Sequence, residues 1–341
     1  LSPSDPEPVG ISAERLNRID AMCQEALKNG NLPGIVALVA RKGKIVFHKA
    51  YGMADISSGR EMKTEDIFRI ASQTKAITAN AVMMLWEEGK FQLDDPISKY
   101  IPEFAEPRIL DTFNESDSSF TTTPADREIT IRHLLTHTSG IGYGFIDQDE
   151  RFRKFYQKAG IVDAWTTETY TIAQNIKKLA KLPLHHNPGE KYLYSEGLDV
   201  LGYLIEVVSG MPFDKFLRER LFDPLGMDDT WFYLPDSKAE RLVAVHYQEN
   251  GQWNKFSDPR FSVNYPIEGA KTYFSGGAGL SSTVKDYAVF LQMYLNGGEY
   301  NGTRILSRTT VRSILGNHTK DLFGGDGSYY GLAFGVVTEQ G

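Results

Sequence analysis

Apolar positions recur at helical spacing through residues 12–27, where Leu16, Ile19, Met22, Cys23, Ala26 and Leu27 form one stripe. Ser12 supplies an N-cap, and Gly30, before Pro33-Gly34, a stop, so the pattern predicts an amphipathic helix. Residues 35–40 and 44–51 read as two strands of a hairpin turned through Arg41-Lys42-Gly43-Lys44. A short strand over 67–70 leads into residues 76–86 (AITANAVMMLW). That segment is apolar nearly all round and closes at Gly89, which predicts a buried helix rather than a surface one. Helical and loop structure follows from Leu93, and the Ser-, Thr- and Asp-rich stretch 111–128 reads as an exposed loop. Helical patterns then cover 131–136, 171–182, 194–208 and 213–221, ending at Pro224-Leu225-Gly226-Met227. From Asp228 the chain mixes turns and short strands around one clear helix at 283–295. Strands first, helices next and mixed structure last predict a sheet domain (1–89 and 228–341) with a helical domain (90–227) inserted. The 76–86 helix falls where the two meet, a common place for a ligand site.

The bulk composition narrows the function classes. With 341 residues, 41% of them hydrophobic, the chain can bury an ample core. A net charge of −7 argues against nucleic acid or an anionic membrane surface as the main partner. No apolar run approaches the ~18 residues of a membrane span. The single cysteine, Cys23, rules out an intrachain disulfide and reads as a buried structural thiol. The chain starts at Leu1, so an export signal trimmed from its front is one option, and cytoplasm and periplasm both stay open.

The candidate chemistry starts at Ser72-Gln73-Thr74-Lys75, at the head of the apolar helix. A serine hydroxyl is a poor nucleophile at neutral pH unless a neighbour takes its proton. At i and i+3, Ser72 and Lys75 share a helix face, and burial disfavours the charged form of a lysine. The same spacing recurs at Ser282-Thr283-Val284-Lys285, where the setting after a glycine run reads as an N-cap with a solvated lysine. A Ser/Lys pair also needs a group that carries the proton to the leaving group. Tyr194, after Pro188-Gly189, is the best candidate, although on spacing alone it is equally one of 17 tyrosines with its hydroxyl in water.

Other motifs point away from rival chemistries. His133 and His137 stand at i, i+4, but Leu134 occupies the place of the metalloprotease glutamate, so they read as structural and no metal site is expected. His185-His186 reads as a solvated loop pair. There is no G-x-S-x-G elbow, no P-loop and no Rossmann glycine signature after a strand. Asn-x-Ser/Thr triplets at Asn114, Asn301 and Asn317 carry little weight.

Taken together, the blocks 66–75, 129–140, 188–195, 199–202, 224–227 and 276–282 resemble the serine β-lactamase and penicillin-binding-protein superfamily in order and content. The nearest branch is similar to the class C β-lactamase-like (family VIII) carboxylesterases. The resemblance implies an α+β, β-lactamase-like fold with an antiparallel sheet flanked by helices and an inserted all-helical domain. It also implies Ser72 as the acylated nucleophile, Lys75 as its base and Tyr194 as proton shuttle. A small-molecule ester or amide substrate is then expected, with no cofactor. D-amino-acid peptidase, weak β-lactamase, acyltransferase and non-catalytic binder are the rival expectations on the same scaffold.

Two departures qualify the resemblance. Where β-lactamases and peptidases read Tyr-x-Asn, this chain has Glu196, expected to face substrate and, as an acceptor-only carboxylate, to favour neutral esters over acidic antibiotics. The literal Tyr294-Leu295-Asn296 sits at a helix end and reads as a C-cap. The family's third motif, on a late strand, has no counterpart before Gly341, so a C-terminal strand pair and helix are expected beyond this sequence. Gly276 and Gly277 belong to an earlier glycine block and are the remaining candidates for substrate binding. Tyr143, Phe145, Phe152 and Tyr156 are either an apolar rim for short acyl chains or packing of the helical domain.

Overall fold

The computed structural model describes residues 1–258, 262–324 and 328–337. It opens with strand β1 (Ser2–Pro3), helix α1 (Ala13–Lys28) and the long hairpin of β2 (Gly34–Arg41) and β3 (Lys44–Asp55). Ser12 caps α1 by accepting from the Arg15 N–H at 3.3 Å. Leu16 and Cys23 are buried, whereas Met22 faces solvent. The hairpin turns as expected, because Lys42 and Gly43 both take left-handed φ angles, 52° and 73°. β3 runs past the expected end at residue 51 because β4 (Arg60–Glu61) pairs with its far end. The sheet has four strands, with β1–β3–β2 in order and β4 on β3. Only the β1–β3 pairing is parallel, so the sheet is antiparallel save for a two-residue edge. β2 is the last strand on its side of that order.

β5 (Phe68–Arg69) leaves this sheet and pairs with Ser281–Ser282. Helix α2 (Thr74–Glu87) follows, with every residue from Thr74 to Leu85 buried. α6 (Gly197–Ser209) packs against it, α3 (Ile131–Leu135) and α5 (Ile172–Leu179) pack against α6, and with α4 (Glu150–Ala159) they share one core with Phe213, Phe216 and Leu221. Thr130 and Thr171 cap α3 and α5 through capping boxes, which fixes where each helix begins. The Val284–Leu295 helix ends at Asn296 as its C-cap, as the sequence predicts for that chance Tyr-x-Asn.

Three expectations about local structure are corrected. The stretch 111–128 is not a bare loop: Arg108–Phe113 pairs antiparallel with Phe120–Pro124. Its Thr and Phe residues favour an extended backbone, and Phe113 and Phe120 pack on Phe155 at 6.4 and 5.2 Å between ring centroids. The segment 90–227, expected to be all-helical, therefore carries a strand pair as well. Phe152 and Tyr156 form no rim, being 1% exposed in the helical core, while Phe145 alone of that group stands out at 55%. At the second Ser-x-x-Lys, Thr283 rather than Ser282 is the cap, because Ser282 is spent in the strand pairing with Phe68; Lys285 is exposed as expected. Residues 338–341, where the missing-motif expectation falls, lie outside the described residues.

Candidate active site

Ser72 sits in a short 3-10 turn, Ala71–Gln73, that feeds directly into α2, rather than in the first α-helical turn itself. The residue before it, Ala71, holds φ at 43°, in the left-handed region that favours glycine. That turn leaves Ser72 exposed while Lys75, one turn on, is only 3% exposed. Lys75 Nζ donates to Ser72 Oγ at 3.3 Å and to the Gly277 carbonyl at 2.8 Å. Its charge also lies 4.7 Å from the Tyr194 ring centroid and 5.4 Å from that of Tyr143.

Tyr194 comes from the loop before α6, not from within the helix as the pattern predicts, because helical structure starts only at Gly197. Its hydroxyl donates to Ser72 Oγ at 2.7 Å. Tyr143 stacks on it, with centroids 5.7 Å apart and planes 7° apart. The His137 ring lies against its other surroundings at 4.7 Å. Lys75, one turn along the helix, and Tyr194, 122 residues on, thus converge on one serine oxygen.

The glycine block stands behind this group. Thr78 donates to the Gly276 carbonyl at 2.7 Å, and the Leu280 N–H donates to Thr74 at 3.2 Å, tying the 276–280 segment along α2. A Cβ on Gly276 would come within 2.3 Å of the Leu198 carbonyl, and one on Gly277 within 2.4 Å of Asp199 Oδ2. Both glycines are there for close approach, and what Gly277 demonstrably touches is Lys75. Their carbonyls are spent on α2 side chains, which gives the pair a backing role behind Lys75.

Glu196 is the larger correction. It is fully buried, and neither carboxyl oxygen reaches the surface, so it presents no charge to a substrate. Burial first, and the charges of Asp163 and Asp199 next, hold it well above the usual carboxylate range. Asp199, a turn further along α6, is also fully buried; burial lifts it to about 6 against the pull of Ser275 and Lys75.

The histidines divide differently from expectation. α3 ends at Leu135, so His133 and His137 do not share a helix face; His137 lies beyond the cap with φ at 55°. His133 closes the α3 capping box, with Nδ1 accepting from the Thr130 N–H at 3.2 Å. His137 Nδ1 accepts from the Ser195 N–H at 3.2 Å, and burial together with Lys75 pushes its pKa down to about 3. His185 and His186 are packed rather than solvated, on Asp147 at 3.0 Å and the Asn187 carbonyl at 2.8 Å. Tyr143 and His137 are the site neighbours that spacing did not single out as such; their signal was the Gly140 loop and its 129–140 block. Among the described residues no cluster of His, Cys, Asp and Glu is arranged to hold a metal ion, and no helix is long and apolar enough to cross a membrane.

Comparison with known proteins bears on the family and the fold. The Beta-lactamase family profile matches residues 19–341. Esterase EstB of Burkholderia gladioli is 33% identical over 296 residues, spanning 83% of this chain and 71% of EstB. The structure of EstCE1, a hydrolase with promiscuous acyltransferase activity, is similar at a TM-score of 0.76 and 28% identity, covering 94% of this chain and 82% of that one. Simvastatin synthase (LovD) from Aspergillus terreus shares the fold at a TM-score of 0.76 and 21% identity, over 96% of this chain and 83% of its own. The profile spans nearly the whole chain, an esterase is a third identical over most of it, and the fold is α+β: this chain belongs to the beta-lactamase family, with esterases among its relatives, and is a serine hydrolase.

Proposed function

We infer that the protein cleaves small carboxylic esters through an acyl-enzyme on Ser72. The observation that carries this reading is the double approach to Ser72 Oγ, by Tyr194 at 2.7 Å and Lys75 at 3.3 Å. Lys75 in its amine form takes the serine proton as Ser72 Oγ attacks the ester carbonyl. The Ser72 backbone N–H, at the helix start, stabilises the developing oxyanion. Tyr194 passes its proton to the departing alkoxide, is reprotonated with the proton that Lys75 took from Ser72, and then assists the water that frees the acyl group. In this scheme the 1–89 and 228–341 segments form one unit and 90–227 an insertion, with the site between them.

Esters are preferred over acylamino substrates on one point of structure. Where an Asn amide would stand to grip an acylamino group, Glu196 is withdrawn into the core. The likeness to EstCE1, a hydrolase with promiscuous acyltransferase activity, supports transfer to an alcohol or amine as a side reaction of the same acyl-enzyme.

The test is a fluorophosphonate probe followed by intact mass and peptide mapping, alongside hydrolysis of p-nitrophenyl acetate and butyrate. An adduct on Ser72 and loss of hydrolysis in S72A are expected. A folded chain that takes no adduct, or an S72A variant that still turns over, overturns the reading.

A further inference from the structure

Beneath Tyr143 and Tyr194 lie two carboxyl groups that the mechanism leaves unused. Glu196 is fully buried, and its Oε1 and Oε2, like Asp163 Oδ1, have no donor among the described residues. The two carboxyls meet each other side chain to side chain. Two ionised carboxylates carry only acceptors, so this contact is satisfied only when one of them holds a proton. Both are held above the ordinary range, chiefly by burial, and contact with Glu196 draws Asp163 back down, as a donor would. The titratable groups facing the pair come from every side: Asp199 on α6, Tyr156 on α4, Tyr143 on the loop, and Tyr273. Lys75, on α2, acts on Asp199 through its charge.

The same two residues also bind the loop that carries Tyr143. The Glu196 N–H donates to the Gly142 carbonyl at 3.1 Å, and the Phe145 N–H donates to Asp163 Oδ2 at 2.8 Å. Between them, Gly144 lies so close over Asp163 that an added Cβ would stand 1.7 Å from Oδ1. The Tyr156 hydroxyl accepts from the Gly142 N–H at 3.1 Å.

We propose that Glu196 and Asp163 share one proton, and that this acid pair is the strap that seats the 142–145 loop and so fixes Tyr143 against Tyr194 and Lys75. Both are positioning residues, and the inference rests on the Ser72–Lys75–Tyr194 reading for its effect on turnover. Removing the shared proton places two negative charges in contact inside the core, which drives the strap apart.

Infrared spectroscopy of the whole chain at pH 8 tests the proton directly. A carbonyl stretch of a protonated, deuterium-sensitive carboxylic acid is expected in the wild type and not in E196Q. Its absence from the wild type, or its persistence in E196Q, overturns the proposal without using turnover. The strap is tested by kcat/KM on p-nitrophenyl acetate. E196Q keeps an N–H donor and rescues activity, whereas E196M loses about tenfold or more, the scale of a misplaced catalytic group. Equal activity in the two variants overturns the strap, and if E196M does not fold the infrared band still decides the proton. A missing band with Ser72 still labelled by fluorophosphonate sinks this inference alone; an unlabelled Ser72 with the band present sinks the hydrolytic site alone.

Discussion

Tyr143 lies flat against Tyr194, their planes 7° apart, while both rings face Lys75 Nζ. The tyrosine that touches the nucleophile is thereby braced by a second tyrosine from a different loop. Stacking of this kind contributes about 0.5–1.5 kcal/mol beyond area burial, so Y143A is expected to lower kcat by a factor of about 3–10. Labelling of Ser72 should survive, since its bonds to Lys75 remain. Steady-state kinetics beside probe labelling checks both halves; an unchanged kcat would show that the brace is idle.

Y194F removes the hydroxyl and keeps the ring between Tyr143 and His137. Loss of a positioned proton carrier costs about 10²–10⁴ in rate, so kcat should fall by that much. The melting temperature should hardly move, because the ring packing is retained. A variant with near wild-type kcat would reassign the shuttle.

His137 ties protonation to stability. Its folded-state pKa is down to about 3, against 6.5 for an ordinary histidine. The unfolded chain therefore binds the proton first, and stability falls as pH drops from 6.5 towards 3. His133, lowered to about 4, adds to the same loss. H137N is expected to flatten the fall in melting temperature across pH 6.5–4; a slope identical to the wild type would remove His137 from the balance.

G277A should damage stability and activity together. The added methyl would meet Asp199 Oδ2 at 2.4 Å and approach Lys75 Nζ at 3.5 Å. Overpacking of this sort costs about 1–3 kcal/mol, read as a lower denaturation midpoint. If G277A melts like the wild type, the segment has room that the geometry denies.

F152A separates packing from specificity. The ring is 1% exposed in the helical core, so its loss should cost about 3–5 kcal/mol. The preference among acetyl, butyryl and hexanoyl esters should stay as it is. A shifted chain-length preference would restore Phe152 to the substrate's surroundings.

Much of this was legible in the chain, and the misses share a cause. The apolar run behind Ser72 predicts a buried α2 without help from tertiary structure, and Ser12, Thr130 and Thr171 mark helix starts by local chemistry. Glu196 read wrongly because a lone carboxylate in sequence is presumed solvated. Only the fold brings Asp163, more than thirty residues away, close enough to let it stay buried. His137 read as helical from spacing to His133, yet the backbone turns left-handed at His137 itself. The 108–124 hairpin was hidden by its polar composition, since one row of Phe contacts on Phe155 was enough to order it.

Ala71 offers a different consequence. An L-residue in the left-handed region costs about 1–2 kcal/mol, and glycine relieves that at an entropic cost of about 0.5–1 kcal/mol. A71G would thus gain a little stability overall while freeing the joint that aims Ser72. Engineers who select variants by heat resistance alone would keep it, and would accumulate sturdier protein with a wandering nucleophile. For directed evolution of this scaffold, position 71 belongs on the list of sites held fixed.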